Sequence, residues 1–406
     1  MNNVLFVAPF FLETTLRFVA AAARLPGVRV GLVSQDRLEK LPAGIRERLA
    51  AHYRVPDALT AEGILPGVEA LAAGMGGVDR LLGTLEELQV PLGEIRDRLG
   101  IPGMGAATAV NFRDKGRMKE VLRGAGLPCA RSGLARSPEE ARRLVGEIGF
   151  PVVLKPPAGA GARGTARLDE AGALEAWLRQ VPPSPEHPTL VEEFIQGEEH
   201  SFDSISIRGE LVWFSINHYF PSALHVLEEP WIQWCVVLPR EVEHPRYDAI
   251  RDAAARSLRA LGMGTGLSHL EWFRRGDGSV AISEVGARPP GAHFTSLISY
   301  AHDFDLFRAW AELVVHERFA PRPRPFAAGA AYLRGQGRGR VQAVHGWDAV
   351  LRELGPLVVE ARLPEPGQAP SGSYEGEGVV ILRHPETRVV EEGLRFLITT
   401  VRVELG

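Results

Sequence analysis

Residues 150–164 read FPVVLKPPAGAGARG, and this stretch decides the fold class of the chain. Its first half is an apolar run of the kind that forms a buried strand, and its second half is a glycine-rich loop. Gly159, Gly161 and Gly164 match the GxGxxG spacing, but a dinucleotide-binding loop requires a helix directly after it. The following segment, TARLDE, reads as extended. The pattern predicts a glycine flap between two antiparallel strands, where backbone N–H groups approach phosphate oxygens and Arg163 adds charge; a plain glycine turn is the alternative.

Lysine is rare in this chain, and most of its lysines lie near the flap. The 46 basic residues comprise four lysines and 42 arginines. Lys115, Lys119 and Lys155 fall within 41 residues of one another, and the fourth is Lys40. Because arginine serves elsewhere, a retained lysine indicates a need for a compact ammonium group. We therefore expect Lys155, at the end of the strand before the flap, to reach the same phosphates.

The composition excludes several classes of function. The 406 residues carry a net charge of −4, with 45% hydrophobic and 24% charged residues, as in a soluble chain of two or three domains. No basic field typical of a nucleic-acid-binding protein is present, and no apolar run is long enough to span a membrane. Cys129 and Cys235 lie outside any metal motif. Together with an N-terminus that lacks secretory features, this predicts a cytoplasmic protein.

The chain divides by pattern into an α/β layer, a region holding the flap, a mostly β region with two hairpins, and a strand-rich end. The overall fold class is therefore mixed α/β, with α+β character after the first layer. Within the third region, residues 220–240 have no clean period and read as a long loop. The α/β layer runs to about residue 105, the mostly β region begins at 189, and the linker PRPRP at 321–325 precedes the strand-rich end at about 326–406.

Two acids on the second hairpin are candidate metal ligands. Glu271 lies on the first strand, and Glu284 lies on the return strand within the apolar run AISEV. Folding about residues 276–278 brings them nearly opposite each other, which suits a hard cation such as Mg²⁺. The alternative is a solvated strand face, although an unpaired carboxylate among apolar residues is costly. Arg288 follows, and a guanidinium there can clamp a phosphoryl or carboxylate group.

The segment VEEFIQGEE at 191–199 is a strand that enters a loop. Its backbone N–H and C=O groups can read an adenine edge, and a carboxylate nearby can hold ribose hydroxyls. Surface acids at a strand end are the alternative interpretation. The candidate residues of this segment are Glu192, Glu193, Phe194, Ile195 and Glu199.

Four sequence elements, taken in their order and spacing, resemble those of the ATP-grasp superfamily. Within that superfamily they resemble the carboxylate–amine ligases that act on L-amino acids. The opening motif is 114–128, DKGRMKEVLRGAGLP, and the others are the flap, the segment 191–199 and the acid pair. The resemblance implies a Rossmann-like first domain at 1–110, an ATP-grasp fold of two α+β subdomains at 111–190 and 191–320, and a small β-rich domain at 326–406.

The resemblance also implies roles for these residues. Lys115, Lys155 and the flap would contact the phosphates of ATP, and the backbone of Glu193 and Ile195 would read adenine. Glu199 would bind the ribose. Mg²⁺, with Mn²⁺ as the alternative ion, would be held by Glu271 and Glu284, while Arg288 would stabilise the transferred phosphoryl group and contact substrate.

One departure from the family pattern stands out. The family often has Glu-x-Asn-Pro-Arg at the metal motif, whereas here Gly286 occupies the Asn position. One oxygen ligand is thus missing, which puts the usual two-metal geometry in doubt.

The resemblance implies transfer of the ATP γ-phosphoryl group to a carboxylate, then attack of an amine on the acyl phosphate. We expect an amino acid or related small acid and an amine as substrates, in dipeptide or specialised-metabolite synthesis, and a homodimer. The alternatives are a purine-pathway carboxylase or formyltransferase and a non-catalytic nucleotide-binding protein. Candidate substrate residues, besides Arg288, are Glu13, His218, Trp231, His269 and His293.

Overall fold

The computed structural model describes residues 1–159, 161, 164–229 and 231–406. Arg163, which the sequence places in the flap, lies outside the described residues. Among the helices that are described, none is long and apolar enough to cross a membrane.

A parallel sheet opens the chain, as the sequence predicts. Its strands, in the spatial order β3-β2-β1-β4, are β1 (Asn2–Val7), β2 (Val28–Ser34), β3 (Ala51–Arg54) and β4 (Arg80–Leu82). The accompanying helices are α1 (Glu13–Ala23), α2 (Ala43–Arg46), α3 (Ala61–Met75), α4 (Gln89–Leu99) and α5 (Ala106–Arg113). Alternate side chains of β1 enter two different hydrophobic cores, so both faces of the strand are buried. This accounts for its unbroken apolar run.

A four-stranded antiparallel sheet carries the flap. Its order is β5-β8-β6-β7, and the flap joins β6 to β7, which pair antiparallel. The predicted strand–loop–strand arrangement is thus confirmed, and no helix follows the flap directly. The elements are α6 (Lys115–Gly124), β5 (Ser132–Ala135), α7 (Pro138–Ile148), β6 (Val152–Lys155), β7 (Ala166–Leu168), α8 (Ala171–Gln180) and β8 (Thr189–Glu193).

An eight-stranded antiparallel sheet forms the centre of the molecule. Helices pack on both of its faces, with one core around Trp310 and another around Tyr247. The elements in this part of the chain are β9 (Gly197–Ile207), β10 (Glu210–Phe220), α9 (Ala223–Glu228), β11 (Trp234–Leu238), α10 (Asp248–Leu261), β12 (Gly266–Arg275), β13 (Val280–Gly286), α11 (Phe294–His302) and α12 (Leu306–His316).

The C-terminal region is rich in strands, as predicted, and three of them extend the central sheet. The remaining elements are β14 (Ala327–Leu333), β15 (Gly335–Gly337), β16 (Val341–His345), α13 (Trp347–Leu354), β17 (Val358–Arg362), β18 (Gly378–His384), α14 (Thr387–Thr400) and β19 (Arg402–Leu405). The central sheet has the order β13-β12-β9-β10-β11-β14-β18-β17, and β15, β19 and β16 form a separate small sheet. The loop between β17 and β18 therefore sits on the same sheet as the acid-bearing hairpin.

The prediction of a long loop at 220–240 is wrong. This stretch contains α9 and β11, and β11 is a central strand paired with β10 and β14. Trp234 packs into the core on one face of the sheet, and Cys235 packs into the core on the other. A strand that is buried on both faces has no polar alternation, so its period cannot be read from the sequence.

Candidate active site

A cavity of about 540 Å³ lies between the flap-bearing sheet and the central sheet. That volume is in the range of small-molecule sites. Most of the residues that the sequence singled out line it together. They are Lys115, Lys155, Gly159, Gly161, Glu192, Glu193, Phe194, Ile195, Glu199, His269, Glu271, Glu284 and Arg288.

Two predicted lysines converge at one end of the cavity. Lys155 ends β6, and its Nζ lies 2.6 Å from a carboxylate oxygen of Glu192. Lys115 begins α6, whose N-terminus is capped by Asp114; its Nζ lies 3.0 Å from Glu284 Oε1 and donates to the Gly159 carbonyl at 2.8 Å. The end of one strand and the start of one helix thus place two ammonium groups at the flap, where they can meet phosphate oxygens.

A third lysine, which the sequence did not assign to the site, stands behind this pair. Lys119 is fully buried, and its Nζ lies 3.1 Å from the second carboxylate oxygen of Glu192. Burial disfavours the charged form of Glu192, but Lys119 and Lys155 outweigh it and lower the pKa of Glu192 to about 2. Glu192 is therefore a carboxylate bridge between two lysines. The clustering of lysines in an arginine-rich chain was the available signal.

The flap needs its glycines for their backbone conformation. Gly161 and Gly164 have φ of 63° and 69°, in the left-handed region that disfavours side chains. The Gly159 carbonyl also accepts from Arg113, at 3.2 Å, and so the base of the flap is tied to α5 and α6.

The end of β8 presents backbone groups to the cavity. The side chain of Glu193 forms ion pairs with Arg131, at 2.6 Å, and with Arg275, so this residue offers the cavity its main chain. Within the described residues, the Ile195 N–H meets no hydrogen-bond acceptor. Phe194 lies under the Arg167 guanidinium, 4.2 Å from the ring centroid. These features suit a flat heteroaromatic ring that is read by main-chain groups.

Glu199 is a buried carboxylate beside this edge. It accepts a hydrogen bond from the Ala223 N–H at 2.8 Å. Burial, with a further contribution from the Glu271 carboxylate, raises the pKa of Glu199 to about 8. At neutral pH a protonated Glu199 can donate as well as accept a hydrogen bond, as ribose hydroxyls require.

The two candidate metal ligands face each other, as predicted. Glu271 on β12 is directly opposite Glu284 on β13 in the strand register, and both line the cavity. His269 lies on the same strand face, with Nδ1 2.7 Å from Asp203 and Nε2 3.5 Å from Glu271. Burial opposes protonation, but Asp203 and Glu271 outweigh it and raise the pKa of His269 to about 9.

This carboxylate pair fits a magnesium ion bound together with phosphates. Nowhere in the described part of the chain do three or more His, Cys, Asp or Glu side chains gather into a complete metal site. Mg²⁺ is usually held by one or two carboxylates, with substrate phosphates and water completing its shell. Glu271 and Glu284 supply the two carboxylates, and the lysines mark where the phosphates would lie.

Arg288 reaches the cavity from the turn after β13. It pairs with Glu86, from the N-terminal region, and also donates to the Pro289 carbonyl at 2.9 Å. Burial disfavours the charged guanidinium, but Glu86 outweighs it and raises the pKa of Arg288. The guanidinium is thus a fixed positive charge.

Four of the predicted substrate residues do not line this cavity. His218 lies on the opposite face of β10, where it bonds Tyr247, because the side chains of a strand alternate and Tyr219 takes the inward position. Trp231 is 66% exposed. Glu13 is exposed and pairs with Arg362 at 2.6 Å.

His293 is the fourth predicted substrate residue that does not line the cavity. It caps α11 with a left-handed φ of 60°, and its neighbours Ala292 and Phe294 line the cavity instead. Besides Phe194, the aromatic residues that line the cavity are Tyr219, Trp234, Phe273, Phe294 and Tyr374.

The amino-acid sequence of this chain is similar to those of known proteins. Residues 120–304 match the family model of the ATP-grasp domain. The chain is 29% identical over 318 residues to the carbamoyl phosphate synthase large chain of Mycobacterium sp. (strain JLS), covering 75% of this chain and 26% of that protein. It is 26% identical over 272 residues to the alanine–anticapsin ligase of Bacillus subtilis, covering 62% of this chain and 57% of that protein. The chain thus spans about a quarter of the length of the carbamoyl phosphate synthase chains it matches.

Solved structures share the fold over the whole chain. The L-amino acid ligase from Bacillus licheniformis superposes with a TM-score of 0.79 at 19% identity, covering 100% of this chain and 99% of that one. A carboxyaminoimidazole ribonucleotide synthase from Aspergillus clavatus, complexed with ATP, gives a TM-score of 0.73 at 17% identity and covers 98% of each chain. The predicted fold class is thereby confirmed.

Proposed function

This chain contains an ATP-grasp domain, and on that premise we propose that it is an ATP-dependent carboxylate–amine ligase that forms an amide bond and releases ADP and phosphate. The observation that carries the proposal is the convergence of Lys115 and Lys155 with the opposed Glu271 and Glu284 in one cavity. Two ammonium groups beside two carboxylates match the needs of a metal–triphosphate, whose charge must be balanced on both sides.

ATP would lie with its base at the end of β8 and its phosphates under the flap. The carbonyl of Glu193 and the N–H of Ile195 would read the adenine edge, and Glu199 would hold the ribose. Gly159, Gly161 and Gly164 would bring main-chain N–H groups close to the phosphate oxygens.

Glu271 and Glu284 would hold Mg²⁺ against the phosphates. The ion, when bound, neutralises the negative charge of the phosphates. Lys115 lies 3.0 Å from Glu284, so the ammonium group can move between this carboxylate and a phosphate oxygen without leaving the site. His269, held by Asp203, balances the charge of Glu271.

The reaction proceeds in two steps. A substrate carboxylate oxygen attacks the γ-phosphorus of ATP, the bond to the β,γ-bridging oxygen breaks, and ADP leaves with that electron pair. An amine then attacks the acyl carbon of the acyl phosphate, phosphate departs, and the nitrogen loses a proton. Lys155 and Arg288 stabilise the charge of the transferred group, so positioning and electrostatics supply the rate and no covalent enzyme nucleophile is needed.

The test is ADP and phosphate release from ATP and Mg²⁺ across amino acids, singly and in pairs, with mass spectrometry of the products. We expect release that depends on a particular acid and amine, together with a condensed product. A parallel arm offers bicarbonate with a phosphoribosyl amine, and turnover in that arm alone would favour a purine-pathway activity. AMP release would contradict the proposal.

A further inference from the structure

Four of the aromatic side chains that line the cavity pack against one another and form a wall. Tyr219 and Phe294 stack with centroids 5.7 Å apart, and Trp234 packs against both. Tyr374 meets the Trp234 ring edge-on, 4.7 Å away. These four rings come from β10, β11, the start of α11 and the loop between β17 and β18, so the wall exists only in the folded chain. It is apolar in body, and ring faces also attract cations.

Next to this aromatic wall, one carboxylate of the cavity belongs to the C-terminal region. Glu375 follows Tyr374, lines the cavity and is half-buried. Within the described residues no lysine, arginine or histidine lies at ion-pair distance from Glu375, whereas Glu192 and Glu284 are each paired with lysine. Burial raises the pKa of Glu375, and the charge of Arg362, which lies beyond ion-pair distance, partly opposes the effect. Glu375 thus faces the cavity without a direct ion-pair partner among the described residues.

The loop that carries Glu375 is held in place by its own hydrogen bonds. The Glu375 N–H donates to Ser373 at 3.2 Å, and the Glu377 carboxylate accepts from the N–H groups of Gly335, at 2.6 Å, and Ser371, at 2.9 Å. Between the two acids, Gly376 has a φ of 61°, and a Cβ there would meet the Leu333 carbonyl at 2.4 Å. These contacts hold the loop backbone on both sides of Glu375, and none of them involves the nucleotide end of the site.

Tyr374 lines the same cavity as Glu375 and Arg288. Burial raises the pKa of Tyr374, and the carboxylates of Glu375 and Glu271 add to the effect while Arg288 opposes it. The ring thus stands within electrostatic reach of the negative Glu375 and of the positive Arg288. Tyr374, Glu375 and Arg288 all line the cavity, so one bound molecule can contact the ring, the carboxylate and the guanidinium.

We propose that Glu375 binds the ammonium group of an amino acid whose carboxylate is phosphorylated, with the aromatic wall packed against its side chain. The inference rests on the proposed function, because it assigns a substrate class to the same cavity. A zwitterion matches the arrangement: its ammonium group supplies the cation that Glu375 lacks, and its carboxylate turns toward Arg288. Glu375 is then a specificity-determining residue contributed by the C-terminal region.

The test is calorimetric binding to the full chain with ADP and Mg²⁺ present, using four acids and their analogues without the amino group. The pairs are L-alanine with propionate, L-valine with 3-methylbutanoate, L-leucine with 4-methylpentanoate, and L-phenylalanine with 3-phenylpropanoate. We expect wild type to bind at least one amino acid about 10- to 100-fold more tightly than its analogue. Glu375→Gln should abolish this preference and leave binding of the analogue within about twofold of wild type.

Glu365→Gln is the matched control, since Glu365 is an exposed acid on the same loop. It should bind like wild type. The inference is overturned if none of the eight acids binds, if wild type prefers no amino acid, or if Glu375→Gln retains the preference or weakens both members of a pair equally. Near-ultraviolet circular dichroism of the variant monitors the aromatic wall, so that misfolding is seen directly.

ADP release from ATP and Mg²⁺, measured separately with the same proteins and the same acids, distinguishes this inference from the proposed function. Binding that depends on Glu375 without any ADP release would leave the ammonium site standing and contradict the ligase. ADP release that Glu375→Gln leaves unchanged for every amino acid would leave the ligase standing and contradict the ammonium site.

Discussion

Glu86 and Arg288, 202 residues apart in the chain, form an ion pair that joins the N-terminal region to the turn after the β12–β13 hairpin. The pair lies beside Gly286, where the family often has Asn. A Cβ built on Gly286 stands 3.3 Å from Glu86 Oε2. The glycine and this ion pair are therefore linked, because a larger side chain at 286 competes with Glu86 for the same space.

From this contact we expect that restoring the family residue impairs the protein. In Gly286→Asn, the new side chain pushes Glu86 away from Arg288 and frees the guanidinium. The free energy of unfolding should fall by about 3 kcal/mol, as when a buried ion pair loses one partner. Urea denaturation measures the change, with Gly276→Asn at the open tip of the same hairpin as the control. A Gly286→Asn protein as stable as wild type, and more active, would refute this account.

We expect Lys155 to be essential for stabilising the phosphates of ATP during the reaction. Lys155→Met removes the ammonium group that lies 2.6 Å from Glu192, and we expect kcat to fall about 100-fold, as when one preorganised charge donor is lost. Steady-state kinetics with varied ATP measures the loss. Lys40→Met is the control, since Lys40 is an exposed lysine that pairs with Asp36 at the surface. Equal kcat values for Lys155→Met and wild type would show that Lys155 has no role in the reaction.

The opposed carboxylates should govern the magnesium dependence. Glu271→Gln or Glu284→Gln keeps the side-chain volume but removes a negative ligand, and we expect kcat to fall about 100-fold with a higher Mg²⁺ requirement. Titration of ADP release with MgCl₂ measures both. Asp277→Asn, at the hairpin tip, changes one acid of the same hairpin outside the cavity and should leave both values unchanged. An unaltered magnesium curve in both glutamine variants would show that the ion is held elsewhere.

Acid should destabilise the fold through buried neutral histidines on the far face of the central sheet. Burial, with Arg274 and Arg246 nearby, lowers the pKa of His200 to about 3. The unfolded chain takes up this proton near pH 6.5 and the folded chain does not, so stability falls as the pH drops below about 6.5. His200 alone should cost ~2 kcal/mol at pH 5 relative to pH 7.5.

Urea denaturation at the two pH values measures this loss. His200→Phe keeps a ring against Trp272, 4.4 Å away in wild type, and should show a smaller loss. The control, His345→Phe, replaces an exposed histidine and should keep the full loss. An equal pH dependence for wild type and His200→Phe would contradict the argument.

What the sequence predicted well is local. The turn at 276–278 determines that Glu271 faces Glu284, and the apolar run before the flap determines where Lys155 emerges. Such relationships follow from the strand period and from short turns, so one segment contains all the information they need. The family resemblance, carried by ordered local motifs, predicted the fold for the same reason.

What the sequence did not predict depends on contacts between distant segments. Lys119 joins the site through Glu192, although the opening motif and the clustering of lysines gave it no role. Glu375 reaches the site from the far end of the chain and belongs to no local motif. The prediction that His218 contacts substrate was wrong because neighbouring residues of a strand point to opposite faces. His218 lies on the face of β10 away from the cavity, next to Tyr247. Without the register, the sequence could not choose between His218 and Tyr219.

The most direct test of the central claim follows the carboxylate oxygen. The acid that supports ADP release is labelled with ¹⁸O in its carboxylate and turned over with ATP and amine, and the released phosphate is analysed by mass spectrometry. Attack of the carboxylate on the γ-phosphorus predicts one ¹⁸O atom in each inorganic phosphate. Unlabelled phosphate, or ¹⁸O recovered in AMP, would contradict the acyl-phosphate ligase proposed for this cavity.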